Sequence, residues 1–166
     1  MQLLISDANI LIDMEEGRLV SRMFKLPYEF VMPDILYMEE LEEAHQGLLR
    51  AGLQLGELDG DTMGYAARLT QHYTKTSRHD CFALALAKAR ACPLLTGDKA
   101  LRSAAEQESV VVKGTLWLVE EMIRYKLLPV SDARMDYQRM RVADRRLPWK
   151  IAEEGLVRLE MLDSGR

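Results

Sequence analysis

Two short apolar runs in this chain end at an aspartate, and each aspartate is followed by a helical pattern. Residues 3–6 (Leu-Leu-Ile-Ser) lead into Asp7, and residues 94–97 (Leu-Leu-Thr-Gly) lead into Asp98. A short apolar run before a helix is typical of a buried parallel strand and its crossover connection. Because open α/β sheets bind ligands beyond the carboxyl ends of their strands, we expect both carboxylates at the functional edge of such a sheet.

The pattern along the chain predicts an α/β protein in which a mostly parallel sheet is the middle layer of an α/β/α arrangement. Pro33 fits the first turn of a long helix that runs to about residue 51 and ends at Gly52. Strands are predicted at residues 2–6, 28–32, 94–96 and 109–113, with an extended segment at 53–58 and helices between them.

Length and composition predict one domain with a small appendage. Apolar residues make up 48% of the 166 residues, which is enough for a core. Pro129 separates a helical, Arg-rich tail, so we predict a domain at residues 1–130 and an extension at 131–166 that packs on it or binds a partner. The net charge of −4 does not suggest a general nucleic-acid binder.

The sequence also predicts a cytoplasmic protein with no membrane partner. No apolar stretch approaches the roughly 18 residues of a membrane span, and the N-terminus lacks the basic region of a signal peptide. Cys81 and Cys92 have neither metal-site nor disulfide spacing, which indicates a reducing compartment.

Asp80 joins Asp7 and Asp98 as a third candidate acid. Each of the three could be an ordinary helix cap, and Ser77 and Asp80 have the spacing of a capping box. Their common placement at element junctions on one expected edge of the sheet is the stronger indication. Neighbouring carboxylates without a basic partner favour a hard cation.

A fourth acid is expected on the helix after Pro33, where several glutamates compete. Helical phase places Glu40 at the rim of the apolar stripe and Glu39 at its solvent pole. We therefore choose Glu40, with Glu39 as the alternative. The stripe that defines this phase consists of Tyr37, Met38, Leu41, Ala44, His45 and Leu48.

Four segments in chain order resemble those of PIN domains, and the likeness covers about residues 1–130. The nearest subgroup is the VapC-like set of small bacterial and archaeal proteins, particularly those with a Gly-Thr-Leu element, here residues 114–116. The matching segments are Leu4–Asp13 with its Asp-x-Asn, Ser77-x-x-Asp80 with its Ala-Leu-rich continuation, Leu95–Arg102, and Val111–Trp117.

This resemblance implies a metal-dependent endoribonuclease, often the toxin of a toxin–antitoxin pair and often a homodimer. One or two divalent ions can activate a water and neutralise charge on the transferring phosphoryl group, and a carboxylate cluster suits Mg²⁺ or Mn²⁺. Counting from Pro33 can favour Glu39 as the helix acid, whereas the Glu-Leu pairing favours Glu40. The implied metal ligands are Asp7, Glu40, Asp80 and Asp98, with Asn9 and Thr96 orienting ligands or a phosphate.

Substrate and partner contacts are less constrained by the sequence. Six basic residues between positions 134 and 150 predict either a phosphate-tracking patch or a solvated or acid-binding helical face. The residues we name as RNA contacts are Arg78, Lys99, Arg145 and Arg146. Leu19, Val20, Met23 and Phe24 could receive an antitoxin or a second copy of the chain, or pack in the core.

Three alternatives to a ribonuclease remain at this point. The first is a PIN-fold binding module without catalysis, which the presence of four candidate acids disfavours. The second is a structure-specific DNA nuclease, because a metal site alone does not distinguish the two sugars. The third is a phosphoryl-transfer enzyme with an aspartyl nucleophile, which the lack of an Asp-x-Asp at residues 7–9 disfavours.

Overall fold

The apolar runs form the strands of a five-stranded sheet in which all paired strands are parallel. A computed structural model describes residues 1–165. The strand order is β3-β2-β1-β4-β5. The strands are β1 (Gln2–Ser6), β2 (Tyr28–Pro33), β3 (Gln54–Gly56), β4 (Leu94–Leu95) and β5 (Val112–Lys113).

Helices lie on both faces of this sheet, which confirms the predicted three-layer α/β/α class. α6 contacts β1, β2 and β4 and packs against α5 and α7, whereas α1 contacts α2, α8 and α9. The helices are α1 (Ala8–Glu16), α2 (Val20–Met23), α3 (Asp34–Glu40), α4 (Gly47–Ala51), α5 (Gly60–His72), α6 (Arg78–Ala89), α7 (Lys99–Gln107), α8 (Thr115–Arg124), α9 (Val130–Val142) and α10 (Trp149–Ser164).

α6 is the central helix of its layer. Every residue from Cys81 to Ala87 is buried, because the sheet covers one side of the helix and neighbouring helices cover the others. A helix that is apolar all round belongs inside a protein, which explains the uninterrupted Ala-Leu run. The polar first turn, including Asp80, extends beyond this buried part.

The strand order reverses at β1, which lies between β2 and β4. The chain builds β2 and β3 on one side of β1 and then adds β4 and β5 on the other. Ligands of open α/β sheets bind beyond the strand ends at such a reversal. Ser6 lies opposite Leu95, and the Asp7 N–H donates to the Leu95 carbonyl at 3.0 Å.

The predicted continuous helix from Pro33 to residue 51 is wrong, because the structure divides it into α3 and α4. The N–H groups of Leu41 and Glu42 both donate to the Tyr37 carbonyl, and the chain turns before Gly47. Glutamates at 39, 40, 42 and 43 give like-charge pairs at helical spacing, which disfavours continuing the helix. Gly52, with φ of +132°, does end α4 as predicted.

The tail beyond Pro129 forms α9 and α10, which pack on each other and on α8. Of its predicted basic patch, Arg134 pairs with two glutamates of α10 and Arg139 pairs with Asp136, so part of the positive charge is compensated. The division of the chain near residue 130 remains a prediction.

Two further expectations concern surfaces. Leu19 and Met23, considered as docking residues, are fully buried, and Val20 and Phe24 pack against the core. The early helices therefore use these side chains for packing. No helix within residues 1–165 has the length and apolar character needed to span a membrane.

Candidate active site

Asp7 is a buried carboxylate at the junction of β1 and α1. It is 2% exposed, and it caps α1 by accepting a hydrogen bond from the Ile10 N–H at 3.0 Å. Burial is the main cause that raises the pKa of Asp7 to about 7, and the negative charges of Asp80 and Asp13 also raise it. The hydrogen bonds from Thr96 and Ile10 act in the opposite direction. The predicted cap is thus present, and the other carboxylate oxygen faces the end of β4.

Thr96 connects the two aspartates that follow β1 and β4. Its hydroxyl donates to Asp7 Oδ2 at 2.5 Å and accepts from the Asp98 N–H at 3.0 Å. Asp98 in turn caps α7 by accepting from the Leu101 N–H at 2.8 Å. Thr96 is fully buried, whereas Asp98 is exposed, so the acids run from the interior to the surface.

Asp80 interacts electrostatically with the other candidate acids, Asp7, Asp98 and Glu40. The Ser77 hydroxyl accepts from the Asp80 N–H at 3.1 Å, so Ser77 caps α6 as predicted. Burial raises the pKa of Asp80, and the negative charges of Asp98 and Glu40 raise it further. The three aspartates and Glu40 therefore interact as one acidic cluster.

His79 brings both candidate glutamates to this cluster. Its Nδ1 lies 2.6 Å from Glu40 Oε1, and its Nε2 contacts Glu39. Burial by itself would lower the pKa of His79, but the hydrogen bonds to Glu39 and Glu40 prevail and raise it. His79, in the first turn of α6, thus contacts the two glutamates with which α3 ends.

Asp13 is a residue of this region that sequence reasoning missed. It is 5% exposed, and its two oxygens accept from Thr115 Oγ1 and Arg145 Nε, each at 2.6 Å. Arg145 also donates to Asn9 Oδ1 at 3.1 Å. The signal was available, because Asp13 interrupts the buried face of α1, but its partners lie more than 100 positions away in the chain.

The other predicted RNA contacts, Arg78, Lys99 and Arg146, are more exposed than Arg145. Arg78 and Lys99 are exposed at the first residues of α6 and α7, close in sequence to Asp80 and Asp98. The Arg78 guanidinium lies over the Phe82 ring at 5.2 Å. Arg146 is exposed in the turn after α9. Their role in RNA binding remains a prediction.

The residues present fit a hard divalent cation. Asp7, Asp80 and Asp98 form no ion pair with a basic side chain in the part of the chain described, and Asp7 and Asp80 have raised pKa values. Within residues 1–165, no three Asp, Glu, His or Cys side chains converge closely enough to hold one ion as they stand. Mg²⁺ commonly uses one or two carboxylates and keeps several waters, so the cluster suits it without such convergence.

The raised pKa of Asp7 predicts that metal-free protein loses stability as the pH rises from about 4 to about 7. The folded state keeps this proton up to about pH 7, whereas the unfolded chain releases it near 3.8. In urea unfolding with chelator at pH 8, Asp7→Asn should therefore be more stable than the wild type by on the order of 2–4 kcal/mol. Asparagine retains the helix cap.

The free energy of unfolding is measured against pH for the wild type and for Asp7→Asn. The difference between the two curves isolates the titration of Asp7, because Asp80 and His79 titrate in both proteins. Asp59→Asn is the control, since Asp59 caps α5 in the same way at 2.8 Å but lies on the exposed surface. Parallel curves for the wild type and Asp7→Asn between pH 4 and 8 would contradict the prediction.

The choice between the two glutamates predicts unequal effects on metal binding. The negative charge of Glu40 contributes to the raised pKa of Asp80, so Glu40 interacts with the aspartates. Glu40→Gln should weaken Mn²⁺ binding by about tenfold or more, and Glu39→Gln by less than about threefold, in titration calorimetry. Each variant removes one charged partner of His79, so the pair is matched. The reverse order would assign the role to Glu39.

Comparisons with known proteins identify the family of this chain. The model of the PIN-domain family DUF3368 matches residues 3–161. No curated protein matches the sequence significantly. Among solved structures, the chain is similar to a PilT N-terminus domain protein from the hyperthermophilic archaeon Sulfolobus solfataricus P2, with a TM-score of 0.49 and 13% identity, covering 74% of this chain and 93% of that one.

PIN domains are generally nucleases that use divalent metal ions. Because the family model covers nearly the whole chain, this protein belongs to the PIN-domain family.

Proposed function

We propose that this protein is an endoribonuclease that requires Mg²⁺ or Mn²⁺ and hydrolyses RNA phosphodiester bonds. The observation that carries the proposal is the link between Asp7 and Asp98 through Thr96 at the point where the strand order reverses. An acidic cluster at this edge, in a chain of the PIN-domain family, fits metal-assisted phosphodiester cleavage.

Four side chains would hold the ion, directly or through waters. They are Asp7, Asp80, Asp98 and, from the end of α3, Glu40. A bound divalent ion supplies charge neutralisation for the transferring phosphoryl group and lowers the pKa of a coordinated water. Because such binding favours the ionised carboxylate, it also offsets the cost of burying Asp7.

The remaining residues of the site orient the acids or contact the substrate. Thr96 holds Asp7 Oδ2 by donating its hydroxyl proton, and it holds the start of α7 by accepting from the Asp98 N–H. Arg78 and Lys99, exposed beside the acids, supply positive charge on the expected path of a phosphate backbone. We assign no side chain as a separate general base.

Cleavage of a panel of structured and unstructured RNAs tests the proposal. The wild type should cut RNA with Mg²⁺ or Mn²⁺ and lose this activity with chelator. Asp98→Asn should lower the rate by at least about 100-fold, because loss of a ligand should cost no less than loss of a residue that supports one. Asp59→Asn, an equivalent capping aspartate outside the cluster, should cleave like the wild type.

Matched DNA strands belong in the same experiment. Equal cleavage of DNA would contradict the ribonuclease assignment and favour a DNA nuclease. Binding of RNA without any metal-dependent cleavage would instead favour a binding module. Cleavage that ignores both chelator and Asp98→Asn would show that the acidic cluster is not the site.

We further propose that the nuclease acts as the toxin of a toxin–antitoxin pair in the cytoplasm and that it forms a homodimer. The support is a resemblance: the Gly-Thr-Leu element at residues 114–116 is similar to that of VapC-like proteins, which are often toxins and often homodimers. In the structure Gly114 precedes α8 and Thr115 donates to Asp13. Induced expression in a bacterial host should arrest growth for the wild type and not for Asp98→Asn. A small neighbouring gene whose co-expression restores growth would identify the antitoxin, and normal growth with abundant active protein would contradict the toxin role.

A further inference from the structure

Arg145 reaches the candidate active site from the turn between the two C-terminal helices. α9 ends at Val142, and Asp144 follows with φ of +60°. The Arg145 N–H donates to the Met140 carbonyl at 3.0 Å and the Asp144 N–H to that of Arg141 at 3.1 Å, which is a Schellman ending. The backbone that carries the Arg145 side chain is therefore fixed by the helix end.

The guanidinium of Arg145 is also held firmly at its inner side. Its Nε donates to Asp13 Oδ1 at 2.6 Å, while Asp13 Oδ2 accepts from Thr115. Asp13 is buried, and 23% of the Arg145 side chain is exposed. Moving this guanidinium away would leave a buried carboxylate without its charged partner, which is strongly unfavourable. Arg145 is thus unsuited to follow a flexible substrate.

Nη2 of the same guanidinium determines the orientation of Asn9. It lies 3.1 Å from Asn9 Oδ1 and 3.3 Å from the Asn9 carbonyl oxygen. A guanidinium carries only hydrogen-bond donors, so the side-chain oxygen of Asn9 must face it. The amide NH₂ group of Asn9, an exposed residue two positions after Asp7, then faces outward as a donor.

We propose that Arg145 is a positioning residue that turns the Asn9 amide so that its NH₂ group donates to a phosphate oxygen of the substrate. This inference rests on the proposed function and sharpens it, because sequence reasoning left open whether Asn9 orients a metal ligand or a phosphate. An oxygen that already accepts from a guanidinium is a poor ligand for a cation, whereas an amide NH₂ suits an anion. The α9–α10 turn therefore completes the substrate-binding edge of the nuclease domain.

A double-mutant cycle between Asn9 and Arg145 tests this. The proteins are the wild type, Asn9→Ala, Arg145→Lys and the double variant. Lysine keeps a positive charge for Asp13 but cannot bridge Asp13 and Asn9 with a planar fork. Arg158→Lys on α10 is the control, because Arg158 is exposed and makes no hydrogen bond or ion pair within residues 1–165. Thermal unfolding of each variant verifies that it is folded.

Two equilibrium measurements are made on each protein. One is binding of a fluorescein-labelled single-stranded RNA in the presence of Ca²⁺. This ion takes oxygen ligands, as Mg²⁺ does, but with looser coordination geometry. The other is Mn²⁺ binding without RNA. Each single variant should weaken RNA binding about tenfold, the double variant should be no weaker than Asn9→Ala within about twofold, and Mn²⁺ affinity should stay within about threefold.

The contrary results are distinct. Additive losses in the double variant, or RNA binding unchanged by Arg145→Lys, would overturn the positioning role. A tenfold loss of Mn²⁺ affinity in Asn9→Ala would show that Asn9 serves the ion and overturn the donor role. A wild type that binds no RNA would overturn this inference outright. A wild type that binds RNA without cleaving it would contradict only the nuclease proposal, and the cycle would still decide the role of Arg145.

Discussion

The parallel pairing of β1 with β4 is the constraint on which the candidate site depends. It places Ser6 opposite Leu95, so the residues that follow these strands, Asp7 and Thr96, meet in the interior. One buried hydroxyl then fixes both acids, because Thr96 donates to Asp7 and accepts from the backbone of Asp98. Without this pairing, strands β1 to β3 and strands β4 and β5 would not form one sheet, and the acids would belong to separate loops.

Asp7 shows which of the opposing effects prevails at this edge. A helix cap and a threonine hydroxyl both favour the charged carboxylate, yet burial outweighs them and raises the pKa to about 7. The neighbouring charge of Asp80 acts in the same direction as burial. A site of this kind is costly for the folded state on its own and is suited to a cation, which is the ligand that PIN domains generally use.

A second buried carboxylate, Asp13, joins parts of the chain that lie far apart in sequence. Thr115 and Arg145 are separated from it by 102 and 132 positions, and both bind it at 2.6 Å. The helices beyond Pro129 are therefore tied to α1, the helix that carries Asp7 at its start and Asn9 in its first turn. The match of the family model as far as residue 161 includes α9 and most of α10.

The sequence by itself determined the fold class, the positions of β1 and β2, and the capping roles of Asp7, Ser77 and Asp98, because these follow from short-range periodicity and local hydrogen bonds. It did not predict the break between α3 and α4, since repulsion among neighbouring glutamates and the turn at Leu41 compete with a helical pattern that continues past them. Nor did it predict that His79 binds Glu39 and Glu40, or that Arg145 binds Asp13 and Asn9. Only the tertiary structure decided these contacts, because periodicity shows which face a residue occupies but not which distant residue lies opposite it.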